Sequence, residues 1–256
     1  DTEAVKWYRL AAEGGHIGAM LELGRLHAKA RGVTLTPYEI QRSRTPGELL
    51  AFVESIWECA RNDNDLRRAG HLRSGYLKKF FDEIMPLARF AAAVYPANFT
   101  VRPVLGNQGY DAEVFDTEGH LFERVEMANP VDGQARAATG RELAEHGFGG
   151  LHVGDPGDDL EELLPIIQHT AAKKAIRDYS DATVVFNISA LPPFKGFEER
   201  HEEQVARIRN AIATTDFRAK RVFLMLPSGK VECINDSPGV SGFLCVRLEE
   251  TVPPGR

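Results

Sequence analysis

The chain has 256 residues, a formal net charge of −6, 43% hydrophobic and 27% charged residues. This composition predicts a chain that buries a core, and it argues against intrinsic disorder and against a generally basic coat for nucleic acid. The charge is uneven, because residues 1–100 hold 14 Lys or Arg against 12 Asp or Glu, whereas the remainder is acidic. A locally basic face is therefore compatible with the first part of the chain.

Cysteine content and hydropathy indicate the compartment. Cys59, Cys233 and Cys245 are too few and too scattered for a disulfide framework or a zinc site, which favours a reducing, cytoplasmic location. No apolar run approaches the ~20 residues of a membrane span and no signal peptide is visible, so we expect no membrane partner. Because the chain starts at Asp1 rather than Met, we expect it to be a fragment of a longer protein.

Residues 1–33 predict two short amphipathic helices, about 2–13 and 17–30, joined at Gly14-Gly15. The stretch resembles a Sel1-like repeat, the helical hairpin related to TPR repeats. The residues that carry the resemblance are Ala4, Trp7, Tyr8, Ala11, Ala12, Gly15, His16, Ala19, Leu23, Gly24, Gly32 and Val33. It implies a protein-interaction role and a protein partner. Since solenoid units are stabilised by their neighbours, it also implies either upstream repeats or packing on the next domain.

Residues 34–47 hold two prolines and no sustained period, and we interpret them as a linker. Thr45 as N-cap, Pro46 at the first helical position and Glu48 two residues later predict a helix that extends to about Arg61. The stretch 61–79 is rich in basic side chains. It is either a solvated loop and helix start or a rim that contacts phosphates, with Arg67, Arg68, Arg73 and Lys78 as the nucleic-acid-binding candidates.

A helix from Tyr76 to Val94 is predicted by its apolar stripe, and Glu83 lies beside that stripe. Three antiparallel strands follow, at about 99–105, 110–115 and 121–127, with glycine-containing turns at 106–109 and 116–119. Asp111 opens the second strand and Glu126 lies near the end of the third, so the pairing brings these carboxylates side by side. The other acids of this stretch are expected to be solvated: Glu113, Asp116, Glu118 and Glu123.

After a glycine-rich stretch, residues 160–179 predict a helix containing Pro165. Lys174 lies seven residues after Ile167, on the same helical face, and so should point toward the sheet, whereas Lys173 should point sideways. The continuous apolar run at 181–188 predicts a central strand covered on both faces. A helix at 198–213, strands at 220–226 and 230–234 and a Pro/Gly-rich tail, 236–256, complete the chain. The predicted class is α+β, with one α/β domain spanning residues 48–235.

Over residues 76–235 the order helix, three strands, helix, strand, helix, strand, together with the two acids, resembles the core of the PD-(D/E)XK nuclease superfamily. The resemblance implies a restriction-endonuclease-like mixed sheet flanked by helices. It further implies that Asp111 and Glu126 ligate Mg²⁺ or Mn²⁺, and that Glu83 is the helical acid some members add. The implied activity is metal-dependent hydrolysis of phosphodiesters, with nucleic acid as the partner.

The sequence departs from this family at one position. Ala128, two residues after Glu126, stands where the family carries the lysine that orients the attacking water. Two explanations stay open. Either the lysine has moved to the following helix, where Lys174 (or Lys173) would serve and Asp111, Glu126 and Lys174 would be the catalytic residues, or the domain is silent and the protein is a non-catalytic adaptor.

Overall fold

Six strands lie side by side in one sheet, in the same order as in the chain. They are β1 (Thr100–Pro103), β2 (Ala112–Phe115), β3 (Leu121–Ala128), β4 (Tyr179–Asn187), β5 (Ala219–Met225) and β6 (Val231–Asp236). The computed structural model describes residues 6–7, 36–61, 78–131, 133, 138–139, 141–142, 156–188 and 198–236. The predicted Sel1-like hairpin, apart from residues 6–7, and the tail beyond 236 lie outside these residues, as do Arg67, Arg68 and Arg73.

The strand directions make the sheet mixed. The pairs β1–β2, β2–β3 and β5–β6 are antiparallel, whereas β3–β4 and β4–β5 are parallel. A parallel pair needs a crossover, and a helix supplies it after β3 and again after β4. The helices are α1 (Pro37–Ile40), α2 (Pro46–Arg61), α3 (Met85–Val94), α4 (Pro156–Ala175) and α5 (Glu198–Ala213). The predicted class, α+β, and the predicted order of elements are confirmed.

Two apolar cores cover the two faces of the sheet. Helices α2 and α3 contribute to one core, and α4 and α5 to the other. Strand β4 contributes to both, because Val185 belongs to the first core whereas Val184 and Phe186 belong to the second. This confirms the prediction of a central strand buried on both sides, and each such side chain stabilises the fold by about 1.5–3 kcal/mol.

The observed starts of helices α2 and α4 can be compared with the starts predicted from the sequence. Thr45 Oγ1 accepts from the Glu48 N–H at 3.3 Å while the Thr45 N–H donates to Glu48 Oε2 at 2.9 Å, so the predicted N-terminal cap of α2 is confirmed. Helix α4 begins and ends four residues earlier than predicted, with Pro165 inside it. No helix among the described residues is long and apolar enough to cross a membrane.

The described part of the predicted linker packs on the sheet domain. Residues Pro37–Ile40 form one helical turn, and Ile40 is fully buried in the core of α2 and α3. Arg44 exchanges two backbone hydrogen bonds with Val101 of β1, of 3.0 and 2.7 Å. This segment therefore extends the sheet domain toward the N-terminus.

The expectation that Glu123 is solvated is wrong. Its side chain is inaccessible to solvent and accepts hydrogen bonds from Tyr95, from Arg221 and, at 2.9 Å, from Thr183. The ammonium of Lys220 lies 3.6 Å from the same carboxylate. Glu123 lies in phase with the core residues Val125 and Met127, which is why it is buried.

Glu113 is a second acid whose predicted solvation is wrong. It is 9% exposed, its Oε2 accepts from the guanidinium of Arg102, and its Oε1 accepts from the Tyr110 hydroxyl at 3.2 Å. Arg102 stands directly opposite Glu113 in the β1–β2 register. Opposite charges at such a cross-strand position stabilise a sheet.

We expect Glu123→Ala to lower the free energy of unfolding by about 3–5 kcal/mol, because it leaves the buried Arg221 and the partly buried Lys220 without their carboxylate. Urea denaturation monitored by circular dichroism measures this. The matched control is Glu118→Ala, since the Glu118 side chain is 76% exposed, and it should change stability by about 0.5 kcal/mol or less. A loss as small as the control's would mean that solvent screens the Glu123 cluster.

Candidate functional site

The pairing of β2 with β3 brings Asp111 and Glu126 together. Ala112 stands opposite Val125, and the Asp111 N–H donates to the Val125 carbonyl at 2.8 Å. Both side chains are buried, with Asp111 6% and Glu126 7% exposed. The prediction that the two acids lie side by side is confirmed, and the charge of Asp111 acts directly on Glu126.

Lys174 reaches the site from the last turn of α4. Its ammonium forms an ion pair and hydrogen bond with Glu126 Oε1, and the Lys174 side chain is 17% exposed. Lys173 is exposed. The predicted orientation of Lys174 toward the sheet is therefore confirmed.

Glu83 approaches the two strands from the helical layer. It lies in a π-helical turn, Phe80–Ile84, in which the Met85 N–H donates to the carbonyl of Phe80, five residues back. The negative charge of Glu83 raises the pKa of Asp111, so the two carboxyl groups lie close enough to repel each other. Such single π turns occur often at functional sites.

Two site residues were missed by sequence reasoning. Lys79 lies 3.6 Å from Glu83 Oε2, and its ammonium donates to the carbonyl of Gly106 in the β1–β2 loop. Its spacing of four residues from Glu83 is the signal that identifies such a pair on a helix. Tyr179, whose hydroxyl donates to Glu126 Oε1 at 3.5 Å, opens β4 and carries no comparable signal.

Burial and mutual repulsion dominate the electrostatics. Desolvation and the charge of Glu83 raise the pKa of Asp111 to about 7, although a 2.8 Å hydrogen bond from the Met127 N–H opposes the shift. Burial and the charge of Asp111 likewise raise the pKa of Glu126, and these effects outweigh the opposing contribution of Lys174. Three acidic side chains thus crowd together, and Lys174, Lys79 and Arg177 are the cations whose charges oppose their repulsion.

The donor set suits a hard divalent cation, which binds carboxylate oxygens. Among the described residues Glu83 Oε2 is buried without a hydrogen-bond partner, although the Lys79 ammonium lies 3.6 Å away, and a metal cation could coordinate this oxygen. Among the described residues, no three His, Cys, Asp or Glu side chains are already arranged to hold a metal ion. Lys174 and the Met127 N–H occupy oxygens of Glu126 and Asp111, so metal binding requires these side chains to adjust.

The nucleic-acid-binding candidates are described only at Lys78. Lys78 is exposed and helical, directly before Lys79 in the chain. The remaining candidates Arg67, Arg68 and Arg73 lie outside the described residues. Lys78 therefore contributes one exposed cation, which neighbours the site residue Lys79 in sequence.

Comparisons of the chain with protein-family models, with curated proteins and with solved structures found no match.

Stability of the metal-free protein should fall as the pH rises from about 4 to about 7. Folded Asp111 keeps its proton across this range, whereas the unfolded chain releases it near the ordinary value of 3.8, so rising pH favours unfolding. Each unit of pKa difference corresponds to about 1.4 kcal/mol. Urea denaturation at several pH values, with a chelator present, measures the slope.

Asp111→Asn should flatten this slope and should be more stable than the wild type at pH 8, because its amide cannot ionise beside Glu83. Asp181→Asn is the control, since the Asp181 side chain is 63% exposed, and it should keep the slope. Equal slopes in the wild type and Asp111→Asn would show that Asp111 does not titrate in this range.

Proposed function

We propose that the protein is a metal-dependent nuclease of PD-(D/E)XK type, with an N-terminal protein-interaction repeat. The observation that carries the proposal is the meeting of two buried carboxylates, Asp111 and Glu126, with the ammonium of Lys174 where β2 pairs with β3. Buried, mutually repelling acids destabilise the folded state, and such arrangements cluster at functional sites.

Asp111, Glu126 and Glu83 are the residues that would hold Mg²⁺ or Mn²⁺. When bound, the cation supplies Lewis-acid chemistry: it lowers the pKa of water and offsets charge on a phosphoryl oxygen. Burial excludes bulk water from the carboxylates, which strengthens their attraction for a cation. The Met127 N–H fixes one oxygen of Asp111 and thereby orients its carboxylate.

Lys174 would replace the lysine that is missing at Ala128. Ala128 lies two residues after Glu126, so both project from the same face of β3. Ala128 packs in the core that contains residues of α4, the helix that carries Lys174. The Lys174 ammonium would orient the attacking water and stabilise negative charge on the scissile phosphate.

The proposed partners are nucleic acid at the site formed by Asp111, Glu126 and Lys174 and a protein at the Sel1-like hairpin, in the cytoplasm. The second candidate function, a silent nuclease-like adaptor, is favoured by Ala128 and by the occupied oxygens of Asp111 and Glu126. Activity measurements separate the two functions.

Mn²⁺ or Mg²⁺ should raise the melting temperature of the wild type, because a ligand that binds only the folded state stabilises it by about 2.7 kcal/mol at a hundredfold excess over Kd. Asp111→Asn should remove this shift. Differential scanning fluorimetry with and without chelator measures it, and Asp181→Asn should respond as the wild type does. A shift that survives in Asp111→Asn would exclude Asp111 as a ligand.

Lys174→Ala should lower metal-dependent cleavage of DNA or RNA by about 10²–10³ while the metal-induced thermal shift persists, since Lys174 supplies charge stabilisation rather than a ligand. Cleavage of single- and double-stranded substrates, normalised to folded protein, measures the loss. Lys173→Ala is the matched control, because that neighbouring side chain is exposed, and it should cleave normally.

Two outcomes would contradict this assignment. Unchanged cleavage by Lys174→Ala would make Lys174 a structural partner of Glu126. A wild type that cleaves none of the substrates with either metal would replace the nuclease proposal with the adaptor.

A further inference from the structure

Pro86 explains why the helix that carries Glu83 is widened at the site. An α-helix would require an N–H at position 86 to donate to the carbonyl of Asp82, and proline has none. The chain instead forms the π turn Phe80–Ile84, closed by the Met85 N–H, and continues as α3 with Pro86 in its first turn. Glu83 lies inside this turn, so the direction of its carboxylate depends on how the turn is held.

Asn129 holds the turn from outside the helix. Its side-chain amide donates to the carbonyl of Asp82 at 2.7 Å, the carbonyl that Pro86 cannot serve. Asn129 is partly buried and follows directly after β3, three residues beyond Glu126. One side chain thus connects the strand that carries Glu126 with the turn that carries Glu83.

Asn187 fixes the orientation of Asn129. The Asn187 amide donates to Asn129 Oδ1 at 2.8 Å, which leaves the Asn129 amide nitrogen facing Asp82. The two asparagines are neighbours because Ala128 pairs with Phe186 in the parallel β3–β4 ladder. The carboxyl ends of the two central strands therefore hold the π turn through a chain of two amides.

We propose that Asn129 is a positioning residue, which holds the π turn so that the Glu83 carboxylate faces Asp111. Asn129 acts through the backbone of Asp82 and not by contact with substrate. Its effect on metal affinity rests on the proposed function, whereas its effect on the turn does not. Hydrogen-bond partners that orient metal ligands typically change metal affinity by about 10–100-fold when they are removed.

The test uses Asn129→Ala, Glu83→Gln and the double variant in the full chain, with Mn²⁺ as the probe. In the metal-free protein, Asn129→Ala should speed hydrogen exchange at the Met85 amide, which closes the π turn. Isothermal titration with Mn²⁺ should show a loss of affinity of about 10-fold for Asn129→Ala. The double variant should bind no more weakly than Glu83→Gln alone, because both changes remove the same ligand.

Asn187→Ala is the second variant, in case Asn129→Ala does not fold, and it should change both readouts in the same direction. Asn210→Ala is the matched control, since Asn210 is exposed on α5, and it should leave both unchanged. Unaltered Met85 exchange in both Asn129→Ala and Asn187→Ala would overturn the proposal, as would additive losses of Mn²⁺ affinity in the double variant. A wild type that binds no Mn²⁺ would instead remove the proposed function, and Met85 exchange would still decide whether Asn129 holds the turn.

Discussion

The antiparallel pairing of β2 with β3 is the constraint on which the site depends. The β2–β3 ladder pairs Ala112 with Val125, and the Asp111 N–H donates to the carbonyl of Val125, so this register places Asp111 beside Glu126. A shift of one residue would send one of these side chains to the other face of the sheet. Helix α4 and the π turn then add Lys174 and Glu83 to a pair that the strands have already positioned. The strands are held between two apolar cores, so the register cannot drift.

The sequence predicted the parts of the site that follow from local periodicity. The alternation of residues in the strands and the seven-residue spacing from Ile167 to Lys174 reflect the regular geometry of strands and helices. Both patterns were sufficient to predict which way the side chains point. The burial of Glu123 was missed because a strand of mixed polarity does not reveal which face meets a core until its partners are known. The π turn was missed because Pro86 indicates a break in hydrogen bonding but not how the chain repairs it. Asn129 and Asn187 are 58 residues apart, and only the parallel β3–β4 pairing makes them neighbours.

Charge is distributed in two ways along β3. At Glu123 the acid is matched by Arg221 and Lys220, and the result is a compensated cluster. At Glu126 a second acid, Asp111, lies alongside, and burial and repulsion between the acids raise the pKa values of Glu126 and Asp111. The first arrangement is what a scaffold requires, whereas the second is the one on which the proposed metal site rests. Acids that repel one another lower stability, which is a cost that natural functional sites commonly carry.

The distance between the Glu123 cluster and the acids around Glu126 determines how the protein tolerates substitutions. Glu123 and Glu126 lie about 10 Å apart along β3 and project from opposite faces of the sheet. At that distance, without shared partners, the energetic effects of substitutions add with little coupling. Lineages or engineered variants can therefore lose the acids at one end of the strand while the Glu123 cluster keeps β3, β4 and β5 joined. Because removing the carboxylate of Asp111 also relieves its repulsion with Glu83 and Glu126, variants that lack this acid would be at least as stable as the present chain.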